Sequence, residues 1–108
     1  MEKALQLLRR IGMRSTYSGY NYLAYAVTLV LEHPDYLRNV TKTLYTKVGE
    51  EYGVTGYCVE AALRTLITNY WNLNSDKILK SVIGFPLFDK PTASELISIL
   101  ADYLRDQR

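Results

Sequence analysis

The sequence has one cysteine, Cys58, and one histidine, His33, in 108 residues. Cys58 has no disulfide partner and no neighbouring metal ligands, and His33 beside Pro34 is best interpreted as a loop residue. The sequence also lacks a glycine-rich phosphate loop and a carboxylate pair at a useful spacing. We therefore predict a protein that is not an enzyme and needs no cofactor or metal; a redox-sensing role for the Cys58 thiol is an alternative.

Long apolar runs and strong charge are also missing. No run approaches the roughly 18 apolar residues of a membrane span, and the amino-terminal MEKALQLLRR lacks the apolar middle of a signal peptide. We expect no membrane partner and a reducing, cytoplasmic setting. The net charge is +2 and the isoelectric point is about 8.7. This mild basicity permits DNA binding without requiring it, because domains with a strong nucleic-acid footprint have isoelectric points above about 9.

Apolar residues recur at helical spacing along the chain, and no strand pattern competes with them. We predict an all-α fold of about six helices in a single domain spanning residues 1–108. The predicted helices cover residues 2–11, 18–32, 35–52, 55–72 and 75–83, and a last helix begins at Thr92. The second helix is the expected central scaffold, and the third is expected to bend.

Caps and breakers support these boundaries. Thr92 and Glu95 have the spacing of a capping box, and Asp35 is the expected N-cap of the third helix. For the second helix, the sequence does not choose among Ser15, Thr16 and Ser18. In the loop FPLFDKP before the last helix, we expect the apolar residues Phe85, Leu87 and Phe88 to pack on the body; an exposed aromatic lip is the alternative.

The segment VGEEYGVTGYCVEAALRTLITNYW, residues 48–71, predicts a central helix-turn-helix. Gly49 allows a close helix crossing, Gly53 suits a left-handed turn, and Thr55 is a good N-cap. The predicted inward residues of the second of these helices are Val59, Ala62, Leu63, Leu66, Ile67, Tyr70 and Trp71. The predicted outward residues are Tyr57, Cys58, Glu60, Ala61, Arg64, Thr65 and Thr68. A plain helical hairpin that serves only the core is the alternative interpretation.

Scattered motifs in one continuous register resemble a known family. They are Ile11-Gly12, Gly19-Tyr20-x-Tyr22-Leu23, Thr41-Lys42-x-Leu44-Tyr45, Val59-Glu60-x-Ala62-x-Arg64, Ile67 with Trp71, Lys90-Pro91-Thr92-x-Ser94-Glu95 and Ala101-Asp102-x-Leu104-Arg105. Over nearly its whole length, the chain resembles the C-terminal DNA-binding effector domain of the sporulation-initiation master response regulator, the stage zero sporulation protein A family. The resemblance implies six helices, a helix-turn-helix in the major groove and tandem binding to short operator boxes.

The resemblance also implies roles for individual residues. Glu60 and Arg64 match positions that face bases or nearby phosphates, while Lys42 and Lys90 match basic positions near the DNA backbone. These residue types suit the roles, because arginine can bind guanine bidentately, carboxylates accept from cytosine, and lysines bind phosphates. Thr55 at the helix N-terminus is a further phosphate candidate.

The candidate base-reading face is completed by Tyr57, Cys58, Ala61 and Thr65. The family usually carries arginines at the positions of Cys58 and Ala61, and Thr65 replaces another polar or basic residue. The operator of the family therefore need not be the operator of this protein.

We predict a sequence-specific transcription regulator of the sporulation-initiation type that binds double-stranded DNA. Expected further partners are a second copy in a homodimer or tandem complex, a full-length response regulator, or RNA polymerase. The alternative is a protein-interaction module, favoured by the apolar character of Tyr57, Cys58 and Ala61. The family's receiver domain does not fit within 108 residues, so we expect either a fragment or a free-standing effector.

Overall fold

The computed structural model describes residues 1–107. Within that range the chain forms six α-helices and no β-strand, which confirms the all-α prediction. The helices are α1 (Glu2–Arg10), α2 (Ser18–Glu32), α3 (Tyr45–Tyr52), α4 (Gly56–Asn72), α5 (Asp76–Ile83) and α6 (Ala93–Asp106). No helix in residues 1–107 is long and apolar enough to cross a membrane.

Helix α2 lies at the centre, since α1, α4 and α6 all pack against it. Its side chains Leu23, Ala24 and Val27 are buried, as expected for a scaffold helix. Gly19, at its beginning, lies directly against α4: a Cβ atom at this position would be 2.5 Å from the Ala62 carbonyl oxygen and 3.1 Å from Leu66 Cβ. The two helices therefore cross so closely that their backbones nearly touch.

The predicted third helix is bent, as expected, into three pieces. A 3-10 segment (Pro34–Asn39) and a π-helical turn (Val40–Leu44) precede α3. The prediction that Asp35 caps this region is wrong, because the helical geometry begins one residue earlier, at Pro34. Asn39 instead caps the π-helical turn: its side-chain oxygen Oδ1 accepts a hydrogen bond from the Lys42 backbone N–H at 3.4 Å.

The start of α2 also lacks the expected side-chain cap. Tyr17 occupies the N-cap position, and none of the candidate hydroxyl residues Ser15, Thr16 and Ser18 caps the helix. The Tyr20 N–H donates to the Tyr17 carbonyl at 3.0 Å, so a backbone turn fulfils part of the role of a cap.

The loop that precedes α6 is held at its end rather than by its aromatic residues. Phe85 is 48% exposed and Phe88 is 89% exposed, so the prediction that they pack on the body is wrong for both. Pro91 is buried, and the predicted capping box of Thr92 and Glu95 is confirmed. The Thr92 hydroxyl accepts from the Glu95 N–H at 3.2 Å, and the Thr92 N–H donates to the Glu95 carboxylate at 3.0 Å. These hydrogen bonds lower the pKa of Glu95.

The buried side of α4 ends at Tyr70. Its ring is buried, and its hydroxyl donates a hydrogen bond to the Ile11 carbonyl after α1. Trp71 is only partly buried, so its predicted core position is wrong; the Lys80 ammonium lies 5.5 Å from its ring centre. Successive helix residues project about 100° apart, and the rotation of α4 gives the buried position to Tyr70 while Trp71 lies at its edge.

Substitution of Gly19 tests the close crossing of α2 and α4. Gly19→Ala should lower the free energy of unfolding by about 1 to 3 kcal/mol, because its methyl group would force the two backbones apart. Gly56→Ala is the matched control: the nearest atoms to its Cβ lie 3.4 Å away, an ordinary contact. It should leave stability unchanged or raise it by up to about 1 kcal/mol. Chemical denaturation measures both, and equal destabilisation would contradict the crossing.

A second prediction concerns alkaline pH. Burial raises the pKa of Tyr70 to about 12, above its ordinary value of 10.0. As the pH rises, the unfolded chain therefore loses this proton first, and stability present below pH 10 is lost between about pH 10 and 12. Tyr70→Phe should cost about 1 kcal/mol at pH 7 through the lost hydrogen bond, and should make the alkaline loss smaller.

Denaturation curves from pH 8 to 12 measure this effect. The alkaline loss should shrink without vanishing, because burial also raises the pKa of Tyr25, Tyr45 and Tyr52. An unchanged pH dependence in the Phe variant would show that Tyr70 does not keep its proton in the folded protein.

Candidate nucleic-acid interface

A short turn fixes the direction of α4 relative to α3. Gly53 has a φ of 70°, which confirms the predicted left-handed turn residue. The Val54 N–H donates to the Gly49 carbonyl at 2.9 Å. A side chain at Gly49 would collide with the Val54 carbonyl oxygen, so this glycine lets α3 pack directly on the turn.

The N-terminus of α4 presents three of the predicted site residues. The Thr55 hydroxyl accepts from the Cys58 N–H at 3.1 Å, so Thr55 is the N-cap, as predicted. Tyr57 is 80% exposed, and Cys58 is exposed as well. The N–H groups of a first helical turn have no partners within the helix, and they give this end partial positive charge.

One turn further along α4, Glu60 and Arg64 form an ion pair. The Arg64 guanidinium donates to the Glu60 carboxylate. The Arg64 side chain is 66% exposed, and the Glu60 side chain is 36% exposed. Thr65 is exposed, whereas Ala61 is partly covered. Ala61 therefore contributes less to the exposed face than the sequence suggested.

A groove of about 420 Å³ runs between α4 and the beginning of α6. Its lining residues are Val40, Tyr45, Glu60, Arg64, Ile67, Thr68, Lys90, Pro91, Thr92, Ala93 and Ser94. Tyr45, Ile67 and Pro91 are buried and form an apolar floor. The rim carries the charged side chains, so the structure brings the predicted residues Glu60, Arg64 and Lys90 together.

Lys90 is attached to α4 across the groove. Its ammonium donates to the Thr68 hydroxyl oxygen at 3.1 Å, although the two residues are 22 positions apart. Lys42 is exposed in the π-helical turn, which also packs against α4, but it does not line the groove. The two predicted phosphate lysines therefore lie on different segments beside the same helix.

Tyr45 under the ion pair was not predicted as part of the site. Burial raises the pKa of Tyr45, the Glu60 carboxylate raises it further, and Arg64 acts in the opposite direction. Thr68 was predicted only as an outward residue. Its position four residues after Arg64 places both on one face of the helix, and this spacing was the available signal.

The chain matches a known protein family over nearly its whole length. The family described as "Sporulation initiation factor Spo0A C terminal" matches residues 4–104. The match runs from α1 into α6 and includes the α3–α4 turn and the whole groove. It is a family of DNA-binding domains and not of enzymes. The resemblance noted in the sequence is thereby confirmed, and the chain belongs to the Spo0A C-terminal family of DNA-binding domains.

Proposed function

We propose that this protein is a sequence-specific DNA-binding transcription regulator of the sporulation-initiation type. Residues 1–108 act as one domain in which α3 and α4 form a helix-turn-helix, and α4 enters the major groove. The observation that best supports this proposal is the convergence of Arg64 and Lys90 on one rim beside α4. A cation suited to base edges and a cation suited to phosphates thus lie on the same side of one exposed helix.

Arg64 is the principal base-reading residue in this proposal. Its guanidinium has five N–H donors, so it can keep a hydrogen bond to Glu60 while it binds O6 and N7 of a guanine. Glu60 then orients Arg64 in addition to any contact it makes with a cytosine amino group. Tyr57, Cys58, Ala61 and Thr65 form the remainder of the face opposite the bases.

The phosphate contacts come from three places around α4. Thr55 and the first turn of α4 offer backbone N–H groups, while Lys42 and Lys90 add full charges from the segments on either side of α4 in the sequence. Such contacts position a protein on the duplex but carry no sequence information. Sequence preference is therefore assigned to the Arg64 face.

DNA binding places the protein in the cytoplasm, and the function needs no cofactor. A second copy, bound in tandem on adjacent boxes or as a homodimer, is the first protein partner we propose. A full-length response regulator and RNA polymerase are further proposed partners.

A protein-interaction module is the second candidate function. The observation in its favour is the 80% exposure of Tyr57 at the N-terminus of α4. An interaction module would retain only weak, sequence-independent affinity for DNA. Tyr57→Ala would then disrupt a protein complex while Arg64→Ala left DNA binding unchanged.

Titration with duplex DNA at increasing salt concentration separates the two functions. A DNA reader that neutralises several phosphates must lose affinity steeply, with a slope in log–log form of about −0.9 per phosphate. Selection from random duplexes then gives the operator. A shallow salt dependence with no selected sequence would refute the DNA-binding proposal.

The third prediction concerns Arg64. Arg64→Ala should weaken operator binding by about 1 to 3 kcal/mol and relax the preference at one base pair, because a bidentate contact to guanine is lost. Arg9→Ala, an exposed arginine in α1, is the matched control and should keep the base preference. Selection from random duplexes with each variant measures both effects. A specific operator that is bound equally well without Arg64 would show that this face does not read DNA.

The fourth prediction concerns the two lysines. Lys42→Ala and Lys90→Ala should each weaken binding to all duplex sequences about equally, because a phosphate contact is lost. Each should also make the salt slope shallower by about 0.9. Affinities of each variant for operator and scrambled duplexes at four salt concentrations measure both the loss of affinity and the change in slope. A changed sequence preference with an unchanged slope would assign that lysine to the bases instead.

A further inference from the structure

The two cations on the rim of the groove are held in different ways. Arg64 is paired with Glu60, whereas the Lys90 ammonium donates to the neutral hydroxyl of Thr68 at 3.1 Å. None of the ion pairs formed within residues 1–107 includes Lys90. The positive charge of Lys90 is therefore held in place without being neutralised.

Thr68 behaves differently from the threonine in the scaffold helix. The Thr28 hydroxyl donates to the Ala24 carbonyl of its own helix at 2.8 Å, a common arrangement for a helical threonine. The Thr68 oxygen instead accepts from a side chain in the loop before α6. An ammonium group has three N–H donors, so two of them remain available for a phosphate oxygen.

Lys90 is an exposed residue at the end of the loop before α6. The loop is anchored by buried Pro91 and the Thr92 cap, but Phe88 on the other side is 89% exposed. A lysine stem is flexible and loses much rotamer freedom when it is fixed by binding. A hydrogen bond that fixes the ammonium beforehand reduces that loss.

We propose that Thr68 is a positioning residue for DNA binding, whose hydroxyl holds the Lys90 ammonium beside α4 as a preformed phosphate contact. This inference rests on the proposed function, in which Lys90 binds a phosphate. The hydrogen bond ties that contact to the helix that carries Arg64. The phosphate contact is therefore formed in the free protein, on the helix that carries the proposed base contact.

Thr68→Val tests the inference, because valine keeps the shape and removes the acceptor. It should weaken binding to operator and scrambled duplexes alike by about 2- to 10-fold. The salt slope should not change, since the Lys90 charge is still present. Thr68→Ser should bind within about 2-fold of the unaltered protein, because the acceptor is restored. Thr28→Val is the matched control on α2 and should leave DNA affinity unchanged.

The same substitution in a Lys90→Ala background completes the test. Thr68→Val should have no further effect there, because the group that it positions is gone. If Thr68→Val weakens DNA binding as much in the Lys90→Ala background as it does alone, Thr68 acts on DNA directly. If valine and serine at position 68 weaken binding equally, the packing of the side chain matters and not its acceptor. Either result overturns the positioning role. If Lys90→Ala alone has no effect, the proposed phosphate contact of Lys90 fails instead.

Thermal melts of every variant report folding. If Thr68→Val is unfolded, the DNA affinities of Thr68→Ser and of Lys90→Ala decide the question. In that case, serine binding that is weaker than the unaltered protein by more than about 2-fold would contradict the inference, because its acceptor is intact.

Discussion

The close contact between Gly19 on α2 and the backbone of α4 is the constraint on which the rest of the structure depends. A Cβ atom at Gly19 would lie 2.5 Å from the Ala62 carbonyl oxygen, so only glycine permits this crossing. The crossing directs Val59 and Leu63 into the core shared with α2. Arg64 and Thr65, which follow one and two residues after Leu63, are then turned to the outside. A packing requirement on one side of α4 thus determines which residues can reach a ligand on the other.

Two further local structures convert this exposed helix into a site. The turn built on Gly53, with the close approach of Gly49, fixes the start of α4 and leaves Tyr57 and Cys58 outside. The capping box that starts at Thr92 fixes the other wall of the groove and places Lys90 within reach of Thr68. Neither wall contributes many charges. The charges matter because rigid backbone elements hold them at fixed distances from the helix.

Much of the fold could be predicted because its signals are local. Apolar periodicity defined the helices, Gly53 marked the turn, and the spacing of Thr92 and Glu95 marked the last cap. The errors occurred where tertiary contacts decide which residues are buried. Whether Tyr70 or Trp71 takes the core position depends on the exact rotation of α4, and no local sequence pattern records that rotation. The error at Phe88 has the same cause, since its exposure depends on which tertiary contacts the loop makes. The family match identifies a DNA-binding domain, and the roles of individual site residues stay predictions.

The groove combines residues that no sequence pattern joins, and its charges divide the proposed work of binding. Lys90 forms no ion pair within residues 1–107, so in the proposed complex it contributes to the attraction that acts before contact and is weakened by salt. Arg64 is paired with Glu60, so its attraction at long range is weaker, and in the proposed complex its remaining donors act when a base edge is within hydrogen-bond distance. In the proposed complex, an arginine without that partner would also be attracted to any phosphate nearby. We therefore propose that the ion pair lowers the affinity for wrong sites more than for the right one, because Arg64 can bind a guanine of matching geometry while it keeps its hydrogen bond to Glu60.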